Sequence, residues 1–221
     1  MIAELGHFSL ILAFMVAIYQ TTVPMVGAAK GWHGWMDSAR PAALAQLILM
    51  LISFGALTIA FVTSDFSVLL VYENSHTAKP LLYKISGVWG NHEGSMLLWV
   101  TILALFGAAA ALFGGNLPPS LRARVLGVQA AIGAAFYAFI IFTSNPFWRL
   151  GNPPFNGQDL NPLLQDPGLA FHPPQWNHAG TCQPCGLGTL AMNTLSNGLP
   201  LRTSAWTVRP GDSGAIFGHG P

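Results

Sequence analysis

Four long stretches of this sequence contain no aspartate, glutamate, lysine or arginine: residues 5–29, 41–64, 94–121 and 125–148. Each has an apolar core long enough to cross a bilayer, which takes about 20 residues in a helix. We predict helical spans near 5–27, 41–63, 95–114 and 125–143, because an isolated strand cannot satisfy its backbone hydrogen bonds in lipid. Glu4 stands where a signal peptide would be basic, and no cleavage pattern follows, so we expect the first span to remain in the mature protein.

The composition supports a membrane protein. Only 8% of the residues are charged and 52% are hydrophobic, whereas soluble domains carry about 25% charged residues. These values exclude a soluble enzyme and a disordered chain. Nine lysines and arginines against eight acidic residues give no basic surface, so no nucleic-acid partner is expected. The sequence therefore predicts an all-α membrane protein with about four transmembrane helices.

The basic residues predict how the spans are oriented. Two short loops carry four of them: Lys30, Arg40, Arg122 and Arg124. The longer loops 64–94 and 143–174 carry only three, and the N-terminus carries none. Because basic loops tend to stay on the cytoplasmic side, we predict that the N-terminus and these two longer loops face outward.

The outward loops and the C-terminal tail differ in amino-acid composition and in periodicity. From Pro80, which suits the first position of a helix, apolar side chains recur at helical spacing through Trp89. This pattern predicts one interfacial helix, anchored by Tyr83 and Trp89. Loop 143–174 has seven prolines in 32 residues, so we expect it to be irregular. Residues 175–221 contain eight glycines and four prolines without periodicity, which predicts a disordered, irregular tail.

The first stretch with candidate chemistry is GVWGNHEGSMLLWV at residues 87–100. One interpretation is structural: Asn91 caps the third span, and Glu93 complements the positive end of the helix dipole. The other places Trp89, His92 and Glu93 on the outer surface as a docking or cofactor-contact site. The residue types alone favour the structural interpretation.

The second stretch ends in His172, which precedes two prolines. Proline biases the residue before it toward an extended conformation, and an imidazole held in this way outside a membrane is well placed as an axial ligand to haem iron. A surface histidine in a turn is the commoner case. Four other histidines have no partner that can be identified from spacing: His7, His33, His76 and His92.

Three motifs together resemble one protein family. They are WGNHEGSMLLWV, FTSNPF and GQDLNPLLQDPGLAFHPP, at residues 89–100, 142–147 and 157–174. Residues 1–174 resemble the N-terminal part of the cytochrome c maturation protein F family (CcmF), the large membrane subunit of the bacterial haem lyase. Members are much longer, multi-pass proteins of the bacterial inner membrane. We therefore divide the chain into a membrane domain, residues 1–174, and a tail, residues 175–221.

The resemblance implies a role in cytochrome c biogenesis, with haem as the cofactor. Family members accept haem from a periplasmic haem chaperone and join it to apocytochrome c, alongside other cytochrome c maturation membrane subunits. His172 matches one of two periplasmic histidines implicated in holding the haem, and its proposed role is that of a ligand to the haem iron. The segment from Trp89 to Ser95 matches a motif shared among haem-handling assembly proteins. The N-terminus would be periplasmic.

The resemblance stops abruptly at Pro174. The family continues with another apolar span, whereas Gln175 begins an unrelated sequence, as a frameshifted reading would produce. The family's second periplasmic histidine and its tryptophan-rich segment have no counterpart, so we expect that this fragment does not attach haem alone. Cys182 and Cys185 form a CxxC pair, which elsewhere is a redox pair or half of a zinc site. No second CxxC accompanies it, and we assign it no function.

Two other functions fit a polytopic membrane chain. An ion-coupled transporter subunit needs ionisable side chains within its spans, and the four predicted spans contain no Asp, Glu, Lys or Arg. A non-catalytic membrane scaffold needs no ligand at all. Haem binding would distinguish a haem lyase subunit from such a scaffold.

Overall fold

The computed structural model describes residues 1–152 and 154–158. Within them, helices follow in this order: α1 Ile2–Lys30, α2 His33–Asp37, α3 Ala39–Val62, α4 Leu69–Asn74, α5 Leu81–Gly87, α6 His92–Phe113 and α7 Pro119–Phe142. A 3-10 turn, Gly114–Asn116, links α6 to α7. Among these helices α1, α3, α6 and α7 are long and apolar enough to cross a membrane. The predicted all-α membrane fold with four spans is confirmed.

The long helices extend beyond the predicted spans where the sequence is basic. α7 begins at Pro119 rather than at 125, because proline at the start of a helix loses no helical hydrogen bond. Arg122 and Arg124 therefore lie in the first turns of α7 and not in a loop. α1 runs to Lys30 and ends at Gly31, whose φ of 72° is left-handed and suits glycine.

The four long helices pack as a bundle. α1 packs against both α3 and α7, and α6 packs against the same two helices. Large apolar side chains fill the centre, among them Leu10, Phe61, Leu97 and Ile140. Others of similar size face outward, among them Phe8, Met15, Ile48 and Leu51. Apolar surface on both sides of a helix suits a bundle that is surrounded by lipid.

A polar cluster interrupts the apolar core of the bundle. Gln46 Nε2 donates to Gln20 Oε1 at 2.9 Å, and Gln20 Nε2 donates to the backbone carbonyl of Leu126 at 3.1 Å. The Tyr137 hydroxyl lies 3.4 Å from Gln46 Oε1. Pro24 lies one turn after Gln20 in α1 and has no N–H to donate to the Gln20 carbonyl. The cluster thus joins α1, α3 and α7, and its polar groups bond to one another in place of water.

Two short helices lie between α3 and α6. α5 confirms the helix that was predicted from Pro80, although Pro80 precedes the helix and does not occupy its first position. Leu81 and Leu82 are exposed, while Gly87 is buried and α5 packs against α3. Val88, which belongs to the same predicted apolar stripe, is fully buried. The stripe is therefore divided between the exposed face of α5 and the core.

One end of the bundle gathers most of the candidate residues. α1 and α6 begin there, α3 and α7 end there, and we call it the N-terminal end. Loop 63–91 and the residues after α7 cover it. Residue 153, residues 159–174 and the whole tail 175–221 lie outside the described residues.

Candidate functional site at the N-terminal end

The turn between α5 and α6 is held by one asparagine side chain. Asn91 Oδ1 accepts a hydrogen bond from the backbone N–H of Gly94 at 2.7 Å and so caps α6. Its Nδ2 donates to the carbonyl of Gly87 at 2.8 Å, at the C-terminus of α5. The predicted helix cap is confirmed, and the same side chain also fixes α5 relative to α6.

Gly94 and Ser95 complete this turn. A Cβ atom at residue 94 would overlap the carbonyl oxygen of Val88, so the close approach of the backbone requires glycine. Ser95 Oγ lies 2.8 Å from the Trp89 carbonyl oxygen and 2.5 Å from that of Asn91. The asparagine, the second glycine and the serine of WGNHEGS therefore build the turn itself.

The remaining candidates in this motif differ in accessibility. Trp89 is partly buried and packs against the main apolar core. His92 is exposed in the first turn of α6, and its ring is nearly perpendicular to that of Phe139, with the ring centroids 6.3 Å apart. Glu93 is partly exposed beside it, in the first turn of α6. The structure therefore leaves His92 and Glu93 accessible and gives Trp89 a packing role.

The residues after α7 cross the N-terminal end as a strap, which we define as residues 144–152 and 154–158. Phe147 anchors its first piece: the ring is buried and lies against Gly6 of α1. Asn145 Oδ1 accepts the Phe147 N–H at 3.0 Å, and its Nδ2 lies 3.2 Å from His7 Nε2. The His7 and Phe147 rings are also stacked, with centroids 6.2 Å apart. The close packing of this ring requires a small residue at position 6.

Arg149 ties the same piece of the strap to two other segments. Its guanidinium pairs with the carboxylate of Glu4, and Nη2 donates to Ser67 Oγ at 3.0 Å. The backbone of Arg149 forms an antiparallel bridge with Val68, and the Leu150 N–H donates to the Ser67 carbonyl at 2.9 Å. Exposed ion pairs contribute little by themselves, so the backbone bonds and the buried Phe147 ring account for most of this attachment.

The second piece of the strap is attached to α4 and to the loop after it. Asn156 Oδ1 accepts the Thr77 N–H at 3.2 Å, and Asn156 Nδ2 lies 2.8 Å from His76 Nε2. The Gln158 N–H donates to the Tyr72 carbonyl at 2.8 Å, and its Nε2 donates to the Tyr72 hydroxyl at 3.1 Å. Residues 156–158 are therefore held against α4 and the loop after it at the N-terminal end.

The structure supplies partners for two histidines that the sequence left without any. The His7 ring contacts the Asn145 side chain, and the His76 ring contacts the Asn156 side chain, so each histidine contacts one piece of the strap. The Asn-Pro pair at 145–146 indicates a turn but does not identify what the turn contacts. In residues 1–152 and 154–158, no three His, Cys, Asp or Glu side chains are placed to hold a metal ion. His172, Cys182 and Cys185 lie outside the described residues.

Comparison with known proteins gives a consistent result. Residues 89–177 match the family described as Cytochrome C assembly protein. Cytochrome c-type biogenesis protein ccl1 of Rhodobacter capsulatus is 72% identical over 174 residues, which are 79% of this chain and 27% of that protein. Cytochrome c-type biogenesis protein CcmF of Pseudomonas aeruginosa is 51% identical over 175 residues, again 79% of this chain and 27% of the relative.

A solved structure also resembles this chain. The Cytochrome c Heme Lyase CcmF superposes with a TM-score of 0.63 at 26% sequence identity, covering 69% of this chain and 26% of that one. The chain thus spans about a quarter of the length of the relatives that it matches.

The four-span bundle and the matched residues together define a membrane-embedded protein of the cytochrome c assembly class. More particularly, the 174 or 175 matched residues, 79% of the chain, correspond to the N-terminal region of the CcmF family. The resemblance that the three sequence motifs suggest is confirmed.

Proposed function

We propose that this chain is the N-terminal membrane domain of a haem lyase subunit, acting in cytochrome c biogenesis in the bacterial inner membrane. The observation that carries the proposal is the 72% identity over 174 residues to a cytochrome c-type biogenesis protein. The match to the cytochrome c assembly family also includes the His-Pro-Pro sequence at residues 172–174. The chemistry of the whole protein would need the segments that make up the other three quarters of its relatives.

In this proposal His172 binds the haem iron. A neutral imidazole nitrogen is a common axial ligand of haem, and the bound haem supplies the vinyl groups that are joined to protein thiols. The described chain remains at the N-terminal end as far as Gln158, which is bonded to Tyr72, and His172 follows fourteen residues later in the sequence. The accessible His92, beside the Phe139 ring, offers a second imidazole at the same end of the bundle.

In this proposal the partners bind at the N-terminal end of the bundle. We assign it to the periplasmic side, because the opposite end carries Lys30, Arg40, Arg122 and Arg124. Haem would arrive there from a periplasmic haem chaperone, and apocytochrome c would bring its thiols to the same surface. Other cytochrome c maturation subunits would contact the protein within the membrane. Catalysis by this domain would consist mainly of positioning.

An ion-coupled transporter is less well supported. Ion pathways through a membrane need charged side chains inside the spans, whereas the polar cluster at the centre of this bundle consists of two glutamines and a tyrosine. These groups bond to one another across the helices and suit a packing role.

The proposal predicts that a chimera will mature cytochrome c. Residues 1–174 would be joined to the part of the Rhodobacter capsulatus relative that follows its matched region, in a strain that lacks its own copy. Covalent haem staining of cytochrome c should recover to near the level given by the intact relative. The 221-residue chain supplied alone should give no stained cytochrome c, because it spans only about a quarter of the length of its relatives.

The control is the relative's downstream part expressed without residues 1–174. Maturation by that part alone would show that this domain is dispensable, and the proposed function would be wrong. Maturation by the 221-residue chain alone would contradict the assignment of essential groups to the missing segments.

The proposed orientation can be tested separately with alkaline phosphatase, which is active only outside the cytoplasm. Fusions after Asn74 and after Gln158 should be active, because both positions lie at the N-terminal end of the bundle. A fusion after Arg124, near the start of α7, should be inactive. The reverse pattern of activities would place the N-terminus in the cytoplasm and overturn the assignment.

A further inference from the structure

The opposite end of the bundle contains a junction of three segments. Ala28 near the end of α1, Met36 in α2 and Ala123 near the start of α7 are buried against one another. This small apolar cluster fixes the neighbouring residues of all three segments. Lys30 follows Ala28 by two positions, and Arg124 directly follows Ala123, so both cations lie within two residues of this cluster.

Positive charge exceeds negative charge at this junction. Its basic residues are Lys30, Arg40, Arg122 and Arg124, and its acidic residue is Asp37. The Arg122 Nη2 atom lies 3.9 Å from Asp37 Oδ1, which is a long and weak ion pair. Among the residues that the structure describes, Lys30, Arg40 and Arg124 are exposed and have no acidic partner. Three cations are therefore available to an anion from outside the chain, and of these Lys30 and Arg124 lie nearest in sequence to the apolar cluster.

Two tryptophans lie at this junction, one of them in contact with Lys30. Trp32 and Trp35 are 45% and 44% exposed, and their rings are in edge-to-face contact with centroids 4.8 Å apart. The Lys30 Nζ atom lies 4.7 Å from the centre of the Trp32 ring, close enough for a cation–π interaction. The left-handed conformation of Gly31 turns the chain so that Trp32 follows Lys30 in this position. Tryptophans at the ends of membrane helices favour the level of the lipid headgroups.

We propose that this junction binds the headgroup of an anionic phospholipid. Lys30 and Arg124 bind the phosphate, and the Trp32–Trp35 pair packs against the glycerol and the first carbons of the acyl chains. A lipid fits better than a free anion, because exposed apolar rings gain nothing from inorganic phosphate but bury their surface against a lipid. The site does not depend on the orientation of the chain, since either leaflet can supply such a lipid.

The test is direct lipid binding to the full chain in detergent. The probes are phosphatidylglycerol and phosphatidylcholine, each carrying the same fluorophore on one acyl chain. The wild-type chain should bind phosphatidylglycerol more tightly. In the double variant Lys30→Gln, Arg124→Gln, affinity for phosphatidylglycerol should fall about twenty-five-fold, since each cation near a lipid surface contributes about fivefold. Binding of phosphatidylcholine should not change.

The matched control is Lys84→Gln, which removes a cation that donates to Ser64 at the N-terminal end; it should bind both lipids like the wild type. Equal loss of phosphatidylglycerol binding in the control and the double variant would overturn the proposal. So would displacement of the lipid by an equal concentration of inorganic phosphate. If the double variant fails to fold, the salt dependence of the wild-type chain tests the proposal. Its binding of phosphatidylglycerol should weaken in 1 M salt, where the Debye length is about 3 Å. Binding that is independent of salt would contradict the site.

Discussion

Replacement of His172 by alanine in the chimera is expected to abolish cytochrome c maturation. The imidazole is the proposed ligand of the haem iron, and alanine offers no donor atom in its place. Free imidazole, added at millimolar concentration, should restore part of the activity because it can occupy the vacated coordination position. The measurement is covalent haem staining of cytochrome c, with and without imidazole.

The matched control is His33→Ala. His33 is exposed at the start of α2, at the end of the bundle opposite the N-terminal end, and its loss should leave maturation near the wild-type level. Normal maturation by His172→Ala without imidazole would remove His172 from the set of haem ligands. Loss of maturation that imidazole does not relieve, with loss of membrane accumulation, would indicate a structural role for His172.

The second large effect is expected from Phe147→Ala. Phe147 is 4% exposed and lies against Gly6, so its removal leaves a cavity between the strap and α1. Truncation of a buried phenylalanine costs about 3–5 kcal/mol. The strap depends on this ring more than on its exposed ion pair, and the loss should appear as local opening of the strap.

Hydrogen exchange of the strap amides measures this opening. The Leu150 N–H, which is bonded to the Ser67 carbonyl, should exchange at least about a hundredfold faster in Phe147→Ala, because about 3 kcal/mol corresponds to roughly two powers of ten. The neighbouring Trp148 is 65% exposed, and Trp148→Ala should leave the exchange rate unchanged. Equal rates in the two variants would show that Phe147 does not hold the strap.

Much of the bundle could be predicted because membrane spans are specified locally. Lipid excludes charged side chains, so the gaps between charged residues mark the helices directly. α7 begins at Pro119, six residues before the predicted start at 125. Arg122 and Arg124 are compatible with a helix here, because helix ends readily carry basic side chains into the headgroup region. α4 was not predicted, because the apolar run at 66–72 is too short to span and has no clear periodicity.

The candidate site could be predicted only in part. The Asn91 cap is a local feature, with its partner Gly94 three residues away, and the sequence was sufficient to predict it. The strap depends on contacts between His7 and Asn145 and between His76 and Asn156, which are far apart in the chain. Nothing in the spacing of these residues indicates that they meet, because only the packing of the four long helices brings them together.

The polar cluster in the core has a consequence for the order in which the spans assemble during synthesis. The bond between Gln46 and Gln20 joins residues 26 positions apart and can form as soon as α1 and α3 are both in the membrane. It leaves the Gln20 Nε2 group without an acceptor until the Leu126 carbonyl arrives, 106 positions later. An unpaired N–H group in hydrocarbon costs several kcal/mol. The newly inserted pair α1–α3 is therefore an unfinished assembly intermediate, and α7 completes it on leaving the translocation channel.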